Sequence, residues 1–147
     1  MSSAIHEPTQ EDVPHLHDLI RAHAAFERSA ATLTQGELSA LVLGSSRPIR
    51  FLVAKREDEL AGYAAVTFDW SVWRARRYAH LECLFVAEAS RGQGHGARLL
   101  ASAQAVALAE GADRMEWQTP AWNVDASRFY SRKGAETEAK TRFTLHL

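Results

Sequence analysis

The features that mark secreted, membrane and duplex-binding proteins are missing from this sequence of 147 residues. Its single cysteine, Cys83, excludes an intrachain disulfide. No apolar run is long enough to cross a membrane, and the first residues lack a basic segment followed by an apolar one. The net charge is -1, and no long run carries one sign. We therefore expect a cytoplasmic protein with no nucleic-acid partner and no membrane partner.

The composition is that of an ordinary globular domain. Hydrophobic residues make up 46% of the chain and charged residues 24%, and the chain is long enough to bury a core. No repeat, low-complexity segment or linker divides it. The sequence therefore predicts a single domain over residues 1–147.

The stretch from Leu81 to Leu100 has the pattern of a strand, a glycine-rich turn and a helix. The strand ends on the apolar run Leu84-Phe85-Val86, and the turn is Arg91-Gly92-Gln93-Gly94-His95-Gly96. The first turn of a helix offers unpaired backbone N–H groups and a partial positive charge, and glycines let an anion approach them. This order predicts a site for an anionic group, above all a phosphate, over Gln93 to Gly96.

Two common nucleotide-binding patterns do not fit this turn. A dinucleotide fold needs G-x-G-x-x-G, whereas these three glycines stand at alternate positions. A P-loop needs a lysine followed by serine or threonine after its glycines, and Ala97-Arg98 stands there instead. A purely structural turn is the alternative that remains open.

Helical spacing and capping patterns predict four helices, and alternation predicts six strands. The helices are expected from an N-cap at Thr9 to about Phe26–Arg28, from Thr34 to Gly44, from Gly96 to Gly111 and from Trp122-Asn123 to about Gly134. The strands are expected at Ile5–His6, Ile49–Lys55, Leu60–Phe68, Tyr78–Ala87, Arg114–Gln118 and Thr141–Leu147. This order predicts an α/β (α+β) fold with a mixed sheet covered on both faces.

Two ordered motifs resemble the GNAT N-acetyltransferase superfamily. Arg91-x-x-Gly94-x-Gly96 is similar to its acetyl-CoA pyrophosphate signature, and Asn123-x-x-Ala126-x-x-Phe129-Tyr130-x-x-x-Gly134 follows at the interval of a second family element. The resemblance covers nearly the whole chain. It is closest to the diamine (spermidine/spermine) acetyltransferase-like branch, through Phe26-Glu27, Trp73, Leu81-Glu82 and Trp122-Asn123.

This resemblance implies a fold and an activity. The fold is a mixed, mostly antiparallel sheet of about seven strands with about four flanking helices, splayed after the strand that precedes the glycine turn. The activity is transfer of an acetyl group from acetyl-CoA to a primary amine of a small molecule, either a diamine or polyamine or an amino-acid-like compound. The amine attacks directly in a ternary complex, and the family suggests a homodimer. The alternatives are an aminoglycoside, peptide or protein amine as acceptor, or a non-catalytic acyl-CoA-binding sensor.

The resemblance also implies which residues bind acetyl-CoA (CoA). Backbone amides of the turn would hold the pyrophosphate, the strand before it would pair with the pantetheine arm, and a cation after Tyr130 would reach the 3′-phosphate. The residues expected to do so are Leu84, Phe85, Val86, Arg91, Gly92, Gln93, Gly94, His95, Gly96, Ala97, Asn123, Phe129 and Arg132.

Glu82 and Tyr130 are the expected catalytic residues. An amine is protonated at neutral pH because its pKa is about 10, so it must lose a proton before it attacks. Glu82, beside the cofactor strand, is the candidate base, and its alternative role is an ion pair with Arg76 or Arg77. Tyr130 matches the family tyrosine that gives a proton or hydrogen bond to the departing thiolate. Its alternative role is to close the core beside Phe129.

The acceptor site is expected to combine apolar walls with carboxylates, which suits an alkyl stem ending in an ammonium group. Its expected residues are Phe26, Glu27, Asp69, Trp73 and Glu82. The diamine branch carries an acid directly after the glutamate, where this chain has Cys83. Arg74, Arg76 and Arg77 would also make the rim basic. Both departures count against a polyamine and favour amino acids or other small amines.

Neither the cysteine nor the histidines predict further chemistry. Cys83 has no obvious partner base, so we expect a small buried hydrophobic residue and no nucleophile. His15 and His17 stand two apart on a predicted helix and do not face each other, so with His23 they predict no metal site.

Overall fold

The computed structural model describes residues 4–147, which form two compact units, one ending at Trp117 and the other over Gln118–Leu147. None of the helices in these residues is long and apolar enough to cross a membrane. Short 3-10 turns lie at Gln10–Asp12 and Glu88–Ser90. The other elements are β1 (Ala4–His6), α1 (Val13–Phe26), α2 (Gln35–Leu43), β2 (Arg50–Arg56), β3 (Glu59–Ser71), β4 (Arg76–Val86), α3 (His95–Ala109), β5 (Met115–Glu116) and α4 (Val124–Arg132).

The first unit is built on one sheet whose five strands lie in the order β1-β2-β3-β4-β5. The pairs from β1 to β4 are antiparallel, and β5 runs parallel to β4. The predicted mixed, mostly antiparallel sheet and the four α-helices are therefore confirmed. The strand number is five in the structure instead of about seven.

Of the six strands expected from the sequence patterns, one is shortened and one is missing within residues 4–147. The strand expected over Arg114–Gln118 is limited to Met115–Glu116, and the one expected over Thr141–Leu147 is wrong, because residues 135–147 carry no helix or strand. A strand needs a neighbour that exchanges backbone hydrogen bonds with it, and alternation alone does not supply one. Leu145 in this segment is 85% exposed, so nothing buries its apolar side.

Helices cover both faces of the sheet. The central residues of β2 and β3 are buried in continuous runs, as expected for strands with two covered faces. The cluster on the α1 and α2 face consists of Val13, Leu16, Leu19, Leu38, Val42, Phe51, Val53, Tyr63, Ala65 and Phe85. On α3, the buried side chains Leu99, Ala103 and Ala107 recur every four residues and define the stripe that the helix turns toward β3 and β4.

Local capping fixes where the first two helices begin. Thr34 Oγ1 accepts from the Glu37 N–H at 3.0 Å, and Glu37 Oε1 accepts from the Thr34 N–H at 2.9 Å. This is the capping box that the sequence predicted for α2. The Thr9 N–H donates to Asp12 Oδ2 at 2.9 Å in the same way before α1. With its start fixed, α1 ends at Phe26 and leaves Glu27 at its C-terminal cap.

Candidate active site

The glycine turn has the backbone that its sequence predicted. Gly92 and Gly94 have φ angles of +76° and +83°, in the region that glycine adopts without steric cost. Gly94 caps α3, and the first helical bond runs from the Arg98 N–H to the Gly94 carbonyl at 3.2 Å. The amides of Gly96 and Ala97 precede that bond, so the helix offers them no acceptor. They are available to an anion.

Three guanidinium groups surround this turn. Arg56 Nη1 donates to Gln93 Oε1 at 2.7 Å, and Arg98 Nη2 donates to the Gln93 carbonyl at 3.1 Å. Arg91 Nε donates to the Val86 carbonyl at 3.0 Å, where β4 ends. Arginines beside a helix N-terminus are a donor set suited to phosphate oxygens, so the site fits the pyrophosphate of acetyl-CoA. The sequence predicted Arg91 but missed Arg56, because only the tertiary fold brings β2 to the turn.

The His95 ring is turned into the protein. The residue is 3% exposed, and its Nδ1 lies 3.2 Å from Arg98 Nη2. Burial, followed by the charges of Arg98 and Arg56, lowers the pKa of His95, so the ring is neutral at pH 7. It is therefore the backbone of His95, rather than its imidazole, that the turn can present to a ligand.

One edge of β4 is open where the sequence predicted pairing with the pantetheine arm. In the described residues, β5 pairs with β4 only at Ala79 and His80, whereas β3 pairs with β4 as far as Val86. Residues 84–86 therefore have a strand on one side only. Their outward backbone groups can accept an extended arm as an added strand.

Glu82 is the extra residue of a β-bulge. Ala65 of β3 faces Cys83 and the adjacent Val66 faces Leu81, so Glu82 has no partner of its own in the ladder. The bulge turns its carboxylate beside His80, with 3.0 Å between Oε2 and Nδ1. The Glu82 side chain is 53% exposed. Within residues 4–147 its ion-pair partner is thus His80, and the alternative pairing with Arg76 or Arg77 does not occur.

The end of α1 reaches both the turn and the cofactor strand. The Phe26 ring lies 6.2 Å from the Phe85 ring, and the Arg91 guanidinium lies 4.9 Å from Phe26 and 5.5 Å from Phe85. Glu27 follows directly, and its Oε2 lies 2.6 Å from His23 Nε2. The structure therefore brings Phe26 and Glu27 next to β4, as the sequence predicted for an acceptor site there.

His23 and Tyr63 join this site and were missed by sequence reasoning. His23 Nδ1 lies 2.6 Å from the Tyr63 hydroxyl, and the His23 ring stacks on Phe85 at 4.9 Å. The spacing of His23 and Glu27, four apart on a helix, was a usable signal for their contact. Nothing in the sequence pointed to Tyr63. The described residues hold no group of three or more His, Cys, Asp or Glu side chains that could bind a metal.

The Cys83 thiol lies beside Tyr63 and is not a nucleophile at neutral pH. Burial, with smaller contributions from the charges of Glu82 and Glu27, raises the pKa of Cys83 to about 11, against a lowering by the neighbouring Tyr63 hydroxyl. Burial and the neighbouring Cys83 also raise the pKa of Tyr63, and the same two carboxylates add to this shift. The charges of Glu27 and Glu82 thus both raise the pKa values of Tyr63 and Cys83, and these two side chains form one polar cluster with His23.

Asp69 and Trp73 are not brought to this cluster. Asp69 pairs with Tyr78, about 13 Å along β4 from Glu82 at about 3.3 Å per residue. Trp73 is 98% exposed in the β3–β4 connection. Their part in acceptor binding stays a prediction. Two arginines of the expected basic rim form ion pairs outside this cluster. Arg74 pairs with Asp113 and Arg77 with Glu110, near the C-terminal end of α3.

The second unit holds the other motif. Asn123 Oδ1 accepts from the Ala126 N–H at 3.2 Å and caps α4, which gives the motif asparagine a structural role. The rings of Phe129 and Tyr130 meet edge to face at 5.3 Å. Arg132 lies exposed in the last turn of α4. The cofactor and catalytic roles of these four residues stay predictions.

The chain matches the acetyltransferase (GNAT) family over residues 13–135, and it belongs to this family. The match runs from the start of α1 past the end of α4 and includes both motifs. GNAT acetyltransferases use acetyl-CoA as the acyl donor. The predicted superfamily, its likeness to the diamine acetyltransferase branch, and the predicted N-acetyltransferase activity are confirmed.

Characterised relatives and solved structures agree with this membership. The chain is 26% identical to L-ornithine N5-acetyltransferase NATA1 of Arabidopsis thaliana, over 92% of this chain and 80% of the relative. It is 28% identical to the thialysine N-epsilon-acetyltransferase of Bos taurus, over 92% and 86%. An aminoglycoside acetyltransferase from an uncultured soil metagenomic sample superposes with a TM-score of 0.82, over 99% and 96% of the two chains at 19% identity. At that identity the likeness establishes the fold alone.

Proposed function

We propose that the acceptor is a small amino-acid-like primary amine, with L-ornithine and thialysine as the first candidates. The observation that carries this is that the charges of Glu27 and Glu82 both act on Cys83 of β4, whose neighbouring edge is open, while the Phe26 ring lies near Phe85 and offers an apolar wall. Two carboxylates and an aromatic wall match an ammonium group on an alkyl stem. The names of the ornithine and thialysine enzymes, two relatives that align over most of the chain, describe substrates of this kind.

A polyamine fits this site less well. The residue after Glu82 is Cys83, whose thiol stays neutral because its pKa is raised to about 11. Asp69, the third carboxylate expected near the substrate, lies along the hairpin away from Glu82. A polycation would therefore find two carboxylates in the cluster and no third charge to compensate its remaining ammonium groups.

We assign acetyl-CoA to the glycine turn and the open edge of β4. Amides from Gln93 to Ala97, with Arg56 and Arg98 beside them, would hold the pyrophosphate, and residues 84–86 would pair with the pantetheine arm. Asn123, Phe129 and Arg132 are assigned to the same ligand through the family motif alone. Since the family match spans both compact units, we also propose that they act as one acetyltransferase domain.

In this mechanism a different protein group stabilises or neutralises each charge that the reaction creates or removes. Glu82, bound to His80, accepts a proton from the ammonium and leaves a neutral amine to attack the thioester carbonyl. A backbone N–H near Leu84 donates to the carbonyl oxygen as it becomes negative. Tyr130 then gives its proton to the departing sulfur, and the sulfur leaves as a thiol. The second proton that the attacking nitrogen must lose returns to the Tyr130 oxygen through water and restores the hydroxyl. Acetyl-CoA supplies the activated acetyl group.

The test measures CoA thiol release with L-ornithine, thialysine, spermidine and an aminoglycoside as acceptors. Glu82→Gln should lower kcat/KM for the amine by about 100-fold or more, the usual contribution of a general base. Glu116→Gln is the matched control, because that strand carboxylate is 51% exposed against 53% for Glu82. Tyr130→Phe should lower kcat and leave the affinity for acetyl-CoA nearly unchanged.

Three results would overturn the proposal. Higher kcat/KM for spermidine than for ornithine and thialysine would reject the acceptor class. Equal activity of Glu82→Gln and Glu116→Gln would remove Glu82 as the base. Tight acetyl-CoA binding without thiol release on any amine would favour the acyl-CoA-binding sensor. Assembly as a homodimer and a place in the cytoplasm stay predictions.

A further inference from the structure

A chain of hydrogen bonds runs from the acceptor site into the sheet. Glu27 Oε2 lies 2.6 Å from His23 Nε2, and His23 Nδ1 lies 2.6 Å from the Tyr63 hydroxyl. Tyr63 is 1% exposed, and the Cys83 thiol of β4 lies beside it. The chain of hydrogen bonds therefore connects α1 to β3 through side chains alone.

The carboxylate end fixes the direction of the first bond. A carboxylate can only accept, so His23 Nε2 carries a hydrogen and donates to Glu27. The other ring nitrogen, Nδ1, pairs with the Tyr63 hydroxyl. Both nitrogens of the buried ring therefore have a partner, which is the condition for burying it without a large penalty.

Packing holds the imidazole in place. The His23 ring lies parallel to Phe85, with 19° between planes and 4.9 Å between centroids, and meets Tyr63 edge to face at 5.7 Å. The His23 side chain is 13% exposed, whereas the Glu27 side chain is 35% exposed. The ring is thus the buried support, and the carboxylate is the end that solvent and substrate can reach.

We propose that His23 is a positioning residue for the acceptor amine, which orients the Glu27 carboxylate so that its Oε1 atom faces the ammonium group. Tyr63 anchors His23 from the sheet side. This inference rests on the proposed function, because it needs the amine to bind beside Glu27.

The chain of hydrogen bonds orients the Glu27 carboxylate and does not conduct protons. To move a proton inward, Tyr63 or Cys83 would have to give up its own hydrogen. Burial raises the pKa of both groups, that of Cys83 to about 11, so both keep their hydrogens at neutral pH. The proton of the amine therefore leaves through another group, which agrees with Glu82 as the base.

The central test is a double variant, His23→Leu with Tyr63→Phe. Removing both partners of the buried hydrogen bond together avoids leaving one of them unsatisfied, so the protein is expected to fold. The KM for the amine should rise about tenfold, and the KM for acetyl-CoA and kcat should change less than about threefold. His23→Gln keeps a donor for Glu27 and should recover most of the affinity for the amine.

His17→Leu is the matched control. His17 is also an α1 histidine with a ring hydrogen bond, from Nε2 to the Leu33 carbonyl at 2.8 Å, and it contacts no carboxylate in the described residues. Its loss should lower stability and leave the KM for the amine unchanged. An equal rise of that KM in His17→Leu and in the double variant would mean that only stability was lost, and it would overturn the inference.

A second readout does not depend on turnover. In NMR spectra the His23 Nε2–H should give a downfield, slowly exchanging signal that disappears in Glu27→Ala, which leaves it no acceptor. Titration with butylammonium, the simplest alkylammonium probe, should shift that signal saturably in the wild-type protein. An unmoved signal would overturn the inference even where thiol release confirms the enzyme. A shifted signal without thiol release would instead uphold the site and reject the proposed function.

Discussion

Replacing Gly94 by alanine tests the glycine turn more directly than any change in its charged residues. Gly94 caps α3 with φ +83° and ψ 6°, in the left-handed region. An L-residue there costs about 1–2 kcal/mol in the free energy of unfolding. For a chain of this size, that corresponds to a fall in Tm of about 2–8 °C. This loss comes from the backbone alone, before any contact with a ligand.

The new methyl group has a second effect, on the guanidinium that borders the turn. A Cβ at Gly94 would lie 2.9 Å from Arg98 Nη1, so the end of that flexible side chain must move away. The bond from Arg98 Nη2 to the Gln93 carbonyl, 3.1 Å long, then lengthens or breaks. Losing one charged donor to the pyrophosphate should weaken CoA binding by about tenfold.

Gly111→Ala separates the two effects. Gly111 follows α3 with nearly the same backbone angle, φ +81°, but a Cβ there meets no atom within 4 Å. Both variants should lose a similar free energy of unfolding, and only Gly94→Ala should lose affinity for CoA. Calorimetric titration with CoA gives the affinity, and denaturant unfolding gives the stability. Without a loss of affinity specific to Gly94→Ala, the turn would not be the pyrophosphate site.

Two further predictions concern single side chains. Because burial raises the pKa of Cys83 to about 11 from 9.0, its thiolate fraction at pH 8 should be about 100-fold lower than that of an unperturbed thiol. Iodoacetamide should therefore alkylate the folded protein correspondingly slowly, with a rate that rises tenfold per pH unit up to about pH 11, and a rate already constant above pH 9 would contradict the shift. Asn123→Ala removes the cap that accepts from the Ala126 N–H at 3.2 Å and should cost about 1 kcal/mol of unfolding free energy, whereas Asn123→Asp should cost little. Equal losses in the two variants would mean that Asn123 does not act as a cap.

The features that the sequence predicted correctly depend on neighbours along the chain. The capping box from Thr34 to Glu37 and the glycine turn need only a few consecutive residues, and both occur as expected. The features that it missed depend on pairing across the sheet. The Glu82 bulge exists only because β3 and β4 shift their register, and His23 meets Tyr63 across 40 positions of sequence. The strand predicted from the alternation over Thr141–Leu147 is wrong for the same reason, since no strand of the described residues pairs with this segment.

The two carboxylates of the proposed acceptor site each lie against a histidine, and this limits how many ammonium groups the site can bind. Glu27 Oε2 lies 2.6 Å from His23, and Glu82 Oε2 lies 3.0 Å from His80. One oxygen of each carboxylate is therefore committed, and the other is left for the substrate. An ammonium group has three N–H donors, so one can bind each of these oxygens, and the proton bound to Glu82 is the one lost before attack. A further acid in place of Cys83 would offer oxygens for a second ammonium group. The neutral thiol does not, which is the physical reason to expect one amine at this site.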